Sequence, residues 1–188
     1  MDNEDIIKFA KELGKLKKIK RTGWKIRGVK NPESIADHSY RTTLLGMLLS
    51  DLEGFDTEKI IRMLLLHDVQ EAISGDITSE EKEKMIDKGK SIEIGSIKKI
   101  LSCLPEDLKE KYLSLWEEME GLKTKEAKFC KDIDKLEMMI QLAEYEDENE
   151  NNKKNLSSFW KREDLNAPKN VKKLIEIYEE LKKQRNLK

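Results

Sequence analysis

The stretch Leu64-Leu65-Leu66-His67-Asp68-Val69-Gln70-Glu71 decides which fold and which chemistry this chain is expected to have. Its apolar residues follow a helical period, and the run ends in an imidazole and two carboxylates. The end of an apolar helix is an unfavourable place for such groups unless a cation is bound there. Neutral imidazole and carboxylate are the usual ligands of a catalytic divalent metal. The stretch therefore predicts a metal site beside the core of a helical protein.

The rest of the sequence follows the same helical period, and no segment alternates as a β-strand would. The pattern predicts an all-α bundle. Ser34 and Asp37 have a spacing close to that of a capping box, and Asp56 or Thr57 is a candidate cap for the next helix. Loops are expected at 19–33 and 144–155, and the segment 79–95 is predicted to be either a helix or a lid. Helices are predicted over 4–18, from 34, from 57 to before 75, over 94–101, from 105, over 124–146, and from 168 or 170.

Length and composition limit the class of protein. A chain of 188 residues is enough for one domain and too few for two comfortable ones. Its 37 basic and 38 acidic residues nearly cancel, which argues against a nucleic acid polymer as partner. No apolar run approaches the ~20 residues of a membrane span, and the acidic N-terminus does not resemble a signal peptide. With isolated cysteines at positions 103 and 130, the sequence predicts a soluble cytoplasmic protein without a membrane partner.

A complete metal site needs ligands from other parts of the chain. The second histidine, His38, lies on another predicted apolar helix and supplies a third ligand. His67 and Glu71 are four residues apart, so a helix would place both on one face and leave Glu71 beside the ion. In that position, its carboxylate could orient or deprotonate a metal-bound water.

A fourth ligand is expected from the helix predicted over 124–146. It offers Asp132 and Asp134, which lie about 100° to either side of Ile133 at the centre of the apolar face. Periodicity favours Asp134 only slightly, and both aspartates remain candidates. Imidazole and carboxylate ligands without a thiolate predict one divalent transition metal, namely Co, Mn, Zn, Ni or Fe, and argue against Mg.

These residues resemble the HD-domain phosphohydrolase superfamily, whose hallmark is a metal held by two histidines and two aspartates in a helical bundle. Within it, the chain is similar to the HD domain-containing 5'-deoxynucleotidases. The likeness covers roughly residues 10–180 and implies a single HD domain over 1–188. The matching motifs are RTGWKIRGV (21–29), PESIADHSYR (32–41), HDVQEAISGDI (67–77), LPEDL (104–108) and AKFCKDIDKLEM (127–138).

The resemblance implies a complete metal site. The family aspartate falls two residues before Leu136, which selects Asp134 over Asp132. The implied metal ligands are His38, His67, Asp68 and Asp134.

The resemblance also assigns roles beyond the metal. Glu71 matches the catalytic carboxylate, and Asp76 matches a second acid beside the attacking water. Arg21 matches the arginine that meets the phosphate, and Trp24 resembles a tryptophan that packs near the sugar and disfavours a 2'-hydroxyl. The implied substrate is a small nucleotide, a (deoxy)nucleoside 5'-monophosphate, and the implied assembly is a homodimer.

Two other functions are compatible with a metal site of this kind. One is hydrolysis of a cyclic dinucleotide or a (p)ppGpp-like ester. The Glu-Asp pair expected of alarmone hydrolases directly after the His67-Asp68 turn is missing, which ranks this function lower. The other is a non-catalytic regulatory scaffold that retains the metal for structure.

Overall fold

The protein is built of helices. The computed structural model describes residues 1–78, 81, 85, 87–148, 150–162 and 167–186. Within these ranges no β-strand forms, and the one isolated antiparallel bridge joins Lys20 to Ser34, so the predicted all-α class is confirmed. A 3₁₀ turn (Lys15–Lys17) follows the first helix. The helices are α1 (Asn3–Gly14), α2 (Thr22–Ile26), α3 (Ile35–Glu53), α4 (Thr57–Leu66), α5 (Glu71–Ser74), α6 (Asp87–Leu101), α7 (Glu106–Glu120), α8 (Lys125–Glu148), α9 (Glu150–Lys161) and α10 (Lys172–Asn186).

Two helix starts follow from capping residues in the sequence. The Ser34 side chain accepts a hydrogen bond from the Asp37 N–H, and the Asp37 carboxylate accepts one from the Ser34 N–H. This reciprocal pair satisfies two backbone donors at the start of α3. The Asp56 carboxylate accepts from the Lys59 N–H and caps α4. Both caps match the sequence prediction, because side chains of this kind act locally.

The prediction of a loop at 144–155 is wrong. The helix α8 continues to Glu148, and α9 begins at Glu150. The Asn152 amide donates to the Tyr145 carbonyl at 2.9 Å and thereby satisfies a backbone acceptor near the junction. The apolar side of α9 buries Leu156 and Trp160 in the core. These contacts stabilise a helix whose exposed residues are so polar that the sequence pattern predicts a loop there.

The helix predicted to run from 57 to before Gly75 is interrupted, and this prediction is also wrong. The helix α4 ends at Leu66, a turn spans 67–70, and α5 follows. Tight i→i−3 bonds hold the turn, such as the one from the Glu71 N–H to the Asp68 carbonyl at 3.1 Å. The helical spacing argued for His67 and Glu71 therefore does not apply. The segment predicted as helix or lid is α6 from Asp87 onward, and much of 79–86 lies outside the described residues.

The long helix α8 forms the centre of the bundle. It packs against α3, α4, α7, α9 and α10. Helix α3 also lies close to α4. At Gly46 of α3 the two helices approach so closely that an added Cβ atom would lie 2.2 Å from the Leu64 side chain. This close approach, with both helices also packed on α8, brings together the three regions that carry the candidate ligands. None of the described helices has the length and apolar character needed to cross a membrane.

Candidate metal centre

Two buried imidazoles face each other at the centre of the site. His38 lies in the first turns of α3, and His67 directly follows α4. Their Nε2 atoms are 3.3 Å apart. The His67 Nδ1–H donates to the Leu64 carbonyl at 2.6 Å, and His38 Nδ1 lies 2.5 Å from the Glu137 carboxylate. Because both Nδ1 atoms have acceptors, the Nε2 lone pairs of the two rings are directed toward the same point.

Two carboxylates converge on the same point. Asp68 Oδ2 lies 3.1 Å from the Nε2 atom of His67 and 3.7 Å from that of His38. Asp134 Oδ1 lies 3.2 Å from His38 Nε2. Ligand bonds of about 2.0–2.1 Å place neighbouring ligand atoms about 3.0–3.4 Å apart. The separations of 3.1, 3.2 and 3.3 Å lie in this range, and the 3.7 Å separation between Asp68 and His38 exceeds it slightly, so the cluster is close to the geometry that a single ion requires. The structure thus brings together the four residues that the resemblance selected.

The alternative ligand Asp132 has a different position. Its buried carboxylate accepts hydrogen bonds from the backbone N–H groups of Lys169, Asn170 and Val171, at 2.6 to 3.0 Å. The Asn170 side-chain amide donates to it as well, at 2.9 Å. Asp132 therefore fixes the segment that leads into α10. Periodicity left two candidates, and the structure gives only Asp134 a place beside the imidazoles.

The electrostatics of the cluster keep its carboxylates ionised. Burial raises the pKa of Asp68, but His67 and His38 outweigh it and hold that pKa well below its usual range. Burial also raises the pKa of Asp134, and the Lys131 ammonium and His38 reverse this effect. Burial lowers the pKa of His38, whereas hydrogen bonds to Asp134 and Glu137 raise it to about 9. In the metal-free protein a proton on His38 thus supplies positive charge that a bound cation would replace.

A cavity of about 210 Å³ opens beside the cluster. The imidazoles lie behind it, while the carboxylates of Asp68 and Asp134 form part of its wall. Glu71 is buried and contributes to the same wall although it is not in helical register with His67. The predicted site residues that line the cavity are Arg21, Trp24, Asp68, Glu71, Asp76 and Asp134.

Arg21 and Asp76 belong to two segments that are tied together. The Arg21 guanidinium lies 3.7 Å from Asp68 Oδ2, at the edge of the metal cluster. Next to it, the Thr22 N–H donates to the Asp76 carboxylate, and the Thr22 hydroxyl donates to the Asp76 carbonyl at 2.9 Å. Asp76 therefore holds the segment that presents Arg21, in addition to lining the cavity. A phosphate beside the cluster would meet a fixed cation.

Trp24 is both a core residue and a wall of the cavity. Its indole N–H donates to the Glu33 carboxylate at 3.0 Å. The Tyr145 ring meets it edge-on at 5.5 Å, and the Phe159 ring lies 4.9 Å away. These three contacts fix the indole on several sides. The part of Trp24 that reaches the cavity is a rigid and largely apolar surface.

Sequence reasoning assigned no role to Glu137. This fully buried carboxylate contacts His38 Nδ1 and pairs with the Arg41 guanidinium at 2.8 Å. It lies four residues after Ile133, in the middle of the apolar face of α8. An acid in an apolar stripe was the signal that could have revealed it. Lys131, which contacts the other oxygen of Asp134 at 2.8 Å, was likewise not predicted.

Known proteins share this arrangement of sequence and fold. The sequence model of the HD domain family matches residues 13–175. The 5'-deoxynucleotidase HDDC2 of Mus musculus is 37% identical over 96% of this chain and 88% of its own length. The 5'-deoxynucleotidase hdd1 of Schizosaccharomyces pombe is 42% identical over 82% of this chain and 78% of its own. A conserved hypothetical protein from Pyrococcus furiosus has a similar structure, with a TM-score of 0.74, 36% identity, and coverage of 94% and 99%.

Proposed function

The chain belongs to the HD domain family, and we propose that it is a metal-dependent phosphohydrolase that removes the 5'-phosphate from deoxynucleoside monophosphates. The observation that carries this proposal is the convergence of two imidazole nitrogens and two carboxylates within 3.1 to 3.7 Å, at the wall of a cavity that also presents an arginine. The relatives named 5'-deoxynucleotidase support the choice of substrate.

His38, His67, Asp68 and Asp134 would hold one divalent metal. Nitrogen and oxygen donors without a thiolate suit Mn, Fe, Co, Ni or Zn better than Mg. When bound, such an ion supplies Lewis acidity toward a phosphoryl oxygen and lowers the pKa of a coordinated water. Asp68 and Asp134 stay ionised near neutral pH because their pKa values lie below the usual range, so the site has the charge needed to bind the ion.

Three side chains around the ion would then act on the substrate. Glu71 accepts a proton from the attacking water, whose oxygen forms a new bond to phosphorus as the ester P–O bond breaks, and the leaving 5'-oxygen takes up a proton from solvent. Arg21 offsets the negative charge on the phosphoryl oxygens. Asp76 acts as the second acid, and its hydrogen bonds with Thr22 keep Arg21 in position. The products are a nucleoside and inorganic phosphate.

Trp24 is proposed to favour deoxyribose. Because Glu33, Tyr145 and Phe159 fix its ring, the indole cannot move aside for a larger sugar. A 2'-hydroxyl against this surface would lose its hydrogen bonds to water without gaining a partner. An apolar wall rejects an added hydroxyl by roughly 100-fold at most, so we expect a preference for deoxynucleotides rather than complete exclusion of ribonucleotides.

The remaining features of the proposal concern assembly and compartment. We propose that residues 1–188 form one HD domain, that two copies associate as a homodimer, and that the protein works in the cytoplasm. The net charge of −1 supports a small nucleotide rather than a nucleic acid polymer as partner.

Phosphate release from a panel of deoxynucleoside and ribonucleoside 5'-monophosphates tests the function. We expect release with Mn, Co, Ni, Fe or Zn, loss of release with a chelator, and recovery when metal is restored. A cyclic dinucleotide and a (p)ppGpp-like ester belong in the same panel. Hydrolysis of those esters without monophosphate turnover would favour the phosphodiesterase alternative. A metal-binding protein that releases phosphate from no substrate would be a scaffold.

A further inference from the structure

Helix α3 packs on the bundle through one face and carries large apolar side chains on the opposite face. One face buries His38, Thr42, Gly46 and Leu49 against the rest of the bundle. The other face points away from the bundle. An amphipathic surface helix normally turns a polar face to solvent, so an outward face of large apolar side chains indicates a second packing partner. The outward side chains are Tyr40 (68% exposed), Leu44 (42%), Met47 (40%), Leu48 (55%) and Leu52 (65%).

We propose that this outward face, which we call the α3 stripe (Tyr40, Leu44, Met47, Leu48 and Leu52), is the surface through which two copies of the chain form a two-fold symmetric dimer. The proposal deepens the homodimer suggested above by naming its interface. It concerns assembly alone, so it stands or falls independently of the hydrolase activity.

The area of the α3 stripe suits a dimer. Its five side chains together expose on the order of 600 Å², at the upper end of the largest apolar patches on monomeric proteins. A standard interface buries about 800 Å² per partner, and in homodimers about 65% of it is apolar. The apolar part of such an interface is thus about 520 Å² per partner, which the α3 stripe alone supplies. Neighbouring polar residues would form the rim.

The spacing of the α3 stripe suits a second copy of the same helix. Tyr40, Leu44, Leu48 and Leu52 are four residues apart and form one continuous ridge along the helix. Their positions are symmetric about position 46. When two such helices lie antiparallel with the two-fold axis at that position, Tyr40 of each copy faces Leu52 of the other, and Leu44 faces Leu48. Antiparallel helices also align their dipoles favourably.

The charges near the α3 stripe point to the same partner. From Tyr40 to Leu52 the charged residues are Arg41 and Asp51, and the exposed Asp51 carboxylate accepts a hydrogen bond from the Thr57 hydroxyl at 2.5 Å. The Arg41 guanidinium is engaged with Glu137, Gln141 and Glu144 on α8, so it points toward the bundle rather than along the stripe. With Arg41 turned toward the bundle and Asp51 as a single carboxylate near one end, the α3 stripe offers a highly charged partner little complementary charge. It does complement another copy of itself, because an isologous contact places the same patch on both sides.

Sedimentation velocity and light scattering on the full chain test the proposal. The native protein should have the mass of two copies of the 22.0 kDa chain. Leu48→Glu should weaken self-association by on the order of 100-fold or more, because it buries unpaired carboxylates near the two-fold axis. Ile7→Glu is the matched control, since Ile7 is also helical and is 54% exposed against 55% for Leu48. Unchanged helical circular dichroism should accompany each variant.

A charge-pair variant tests the register. Leu44→Glu and Leu48→Lys should each give a monomer, whereas the double variant should recover the dimer, because position 44 of one copy faces position 48 of the other. A monomeric native protein, a dimeric Leu48→Glu, or a monomeric Ile7→Glu would overturn the assignment of this surface. Failure of the double variant to recover the dimer would overturn the antiparallel register.

Discussion

Two aspartates two positions apart on α8 serve opposite purposes. Asp132 receives four hydrogen bonds from the segment that leads into α10, so its charge is satisfied by donors of the protein itself. Asp134 faces the Nε2 atom of His38 and lies in a cluster that also includes Asp68. The comparison shows what separates a structural buried acid from a ligand. Both oxygens of the structural acid meet N–H donors, whereas only one oxygen of the ligand accepts from an ammonium, that of Lys131, and the other faces the imidazole and carboxylate groups among which a cation would bind.

Asp134→Asn should have the largest effect on function. It removes a charged ligand from the cluster, so metal affinity falls and phosphate release drops on the order of 1000-fold or more. Metal content after desalting and turnover with added metal measure both effects. Because Asp134 holds no backbone segment of α10, we expect the variant to fold with native helical circular dichroism, although it loses the contacts of this carboxylate with Lys131 and His38. A variant that keeps both metal and turnover would remove Asp134 from the site.

Glu71→Gln should separate chemistry from metal binding. The carboxamide keeps the shape of the side chain but cannot accept a proton, so turnover should fall about 100- to 10,000-fold. The metal ligands are unchanged, and metal content should stay native. Glu71→Ala should give the same pattern, in contrast to Asp68→Ala, which should lose the metal. Near-native turnover in either Glu71 variant would exclude this residue as the base.

The stability of the metal-free protein should depend on pH through His38. Its folded pKa of about 9 lies above the ordinary value of 6.5. Protonation of His38 therefore stabilises the folded state, fully below pH 6.5 and progressively less as pH rises through about 9. The upper bound of this contribution to the free energy of unfolding is about 3 kcal/mol. Thermal unfolding with a chelator should show this loss. The metal-loaded protein should lose less over the same range, and an equal loss in both forms would contradict the exchange of a proton for a metal.

Asp132→Asn should have the opposite effect to Asp134→Asn. It weakens hydrogen bonds from three backbone N–H groups to a charged acceptor, and we expect a loss of about 2–3 kcal/mol in the free energy of unfolding. Metal content and turnover per folded molecule should remain native. Urea unfolding measures the stability. Metal loss in this variant would show that the two aspartates are not independent.

Sequence and structure agree at the helix caps, where the side chain itself determines the local hydrogen bonds. The caps Ser34 and Asp56 were predictable because each acts within its own first turn. The role of Asp132 was not, because its donors lie 37 to 39 residues away along the chain. Periodicity alone could not rank it against Asp134, and the family resemblance was needed. The turn at 67–70 was missed for a different reason, since its i→i−3 bonds are local but leave the apolar periodicity on which the prediction rested unchanged.

Glu137 allows the smallest and most specific test, because it lies between the two kinds of acid. It accepts hydrogen bonds from Arg41, as a structural acid does, yet it also contacts His38 Nδ1 at 2.5 Å and so orients a ligand. We expect Glu137→Gln to reduce metal affinity about 10- to 100-fold, because an outer carboxylate fixes the tautomer and basicity of the imidazole. Competition with a chelator measures the affinity. At saturating metal, turnover should recover most of the native rate.

Arg41→Gln separates the two contacts of Glu137. It removes the cation but leaves the carboxylate beside His38, so a role through the imidazole predicts a smaller loss of metal affinity than in Glu137→Gln. If both variants lose stability equally and neither changes metal affinity, Glu137 acts only in packing. The Co(II) absorption spectrum adds a readout that packing alone would not change, because it reports the ligand field around the ion. A shifted spectrum in Glu137→Gln with a native spectrum in Arg41→Gln would assign the effect to the imidazole of His38.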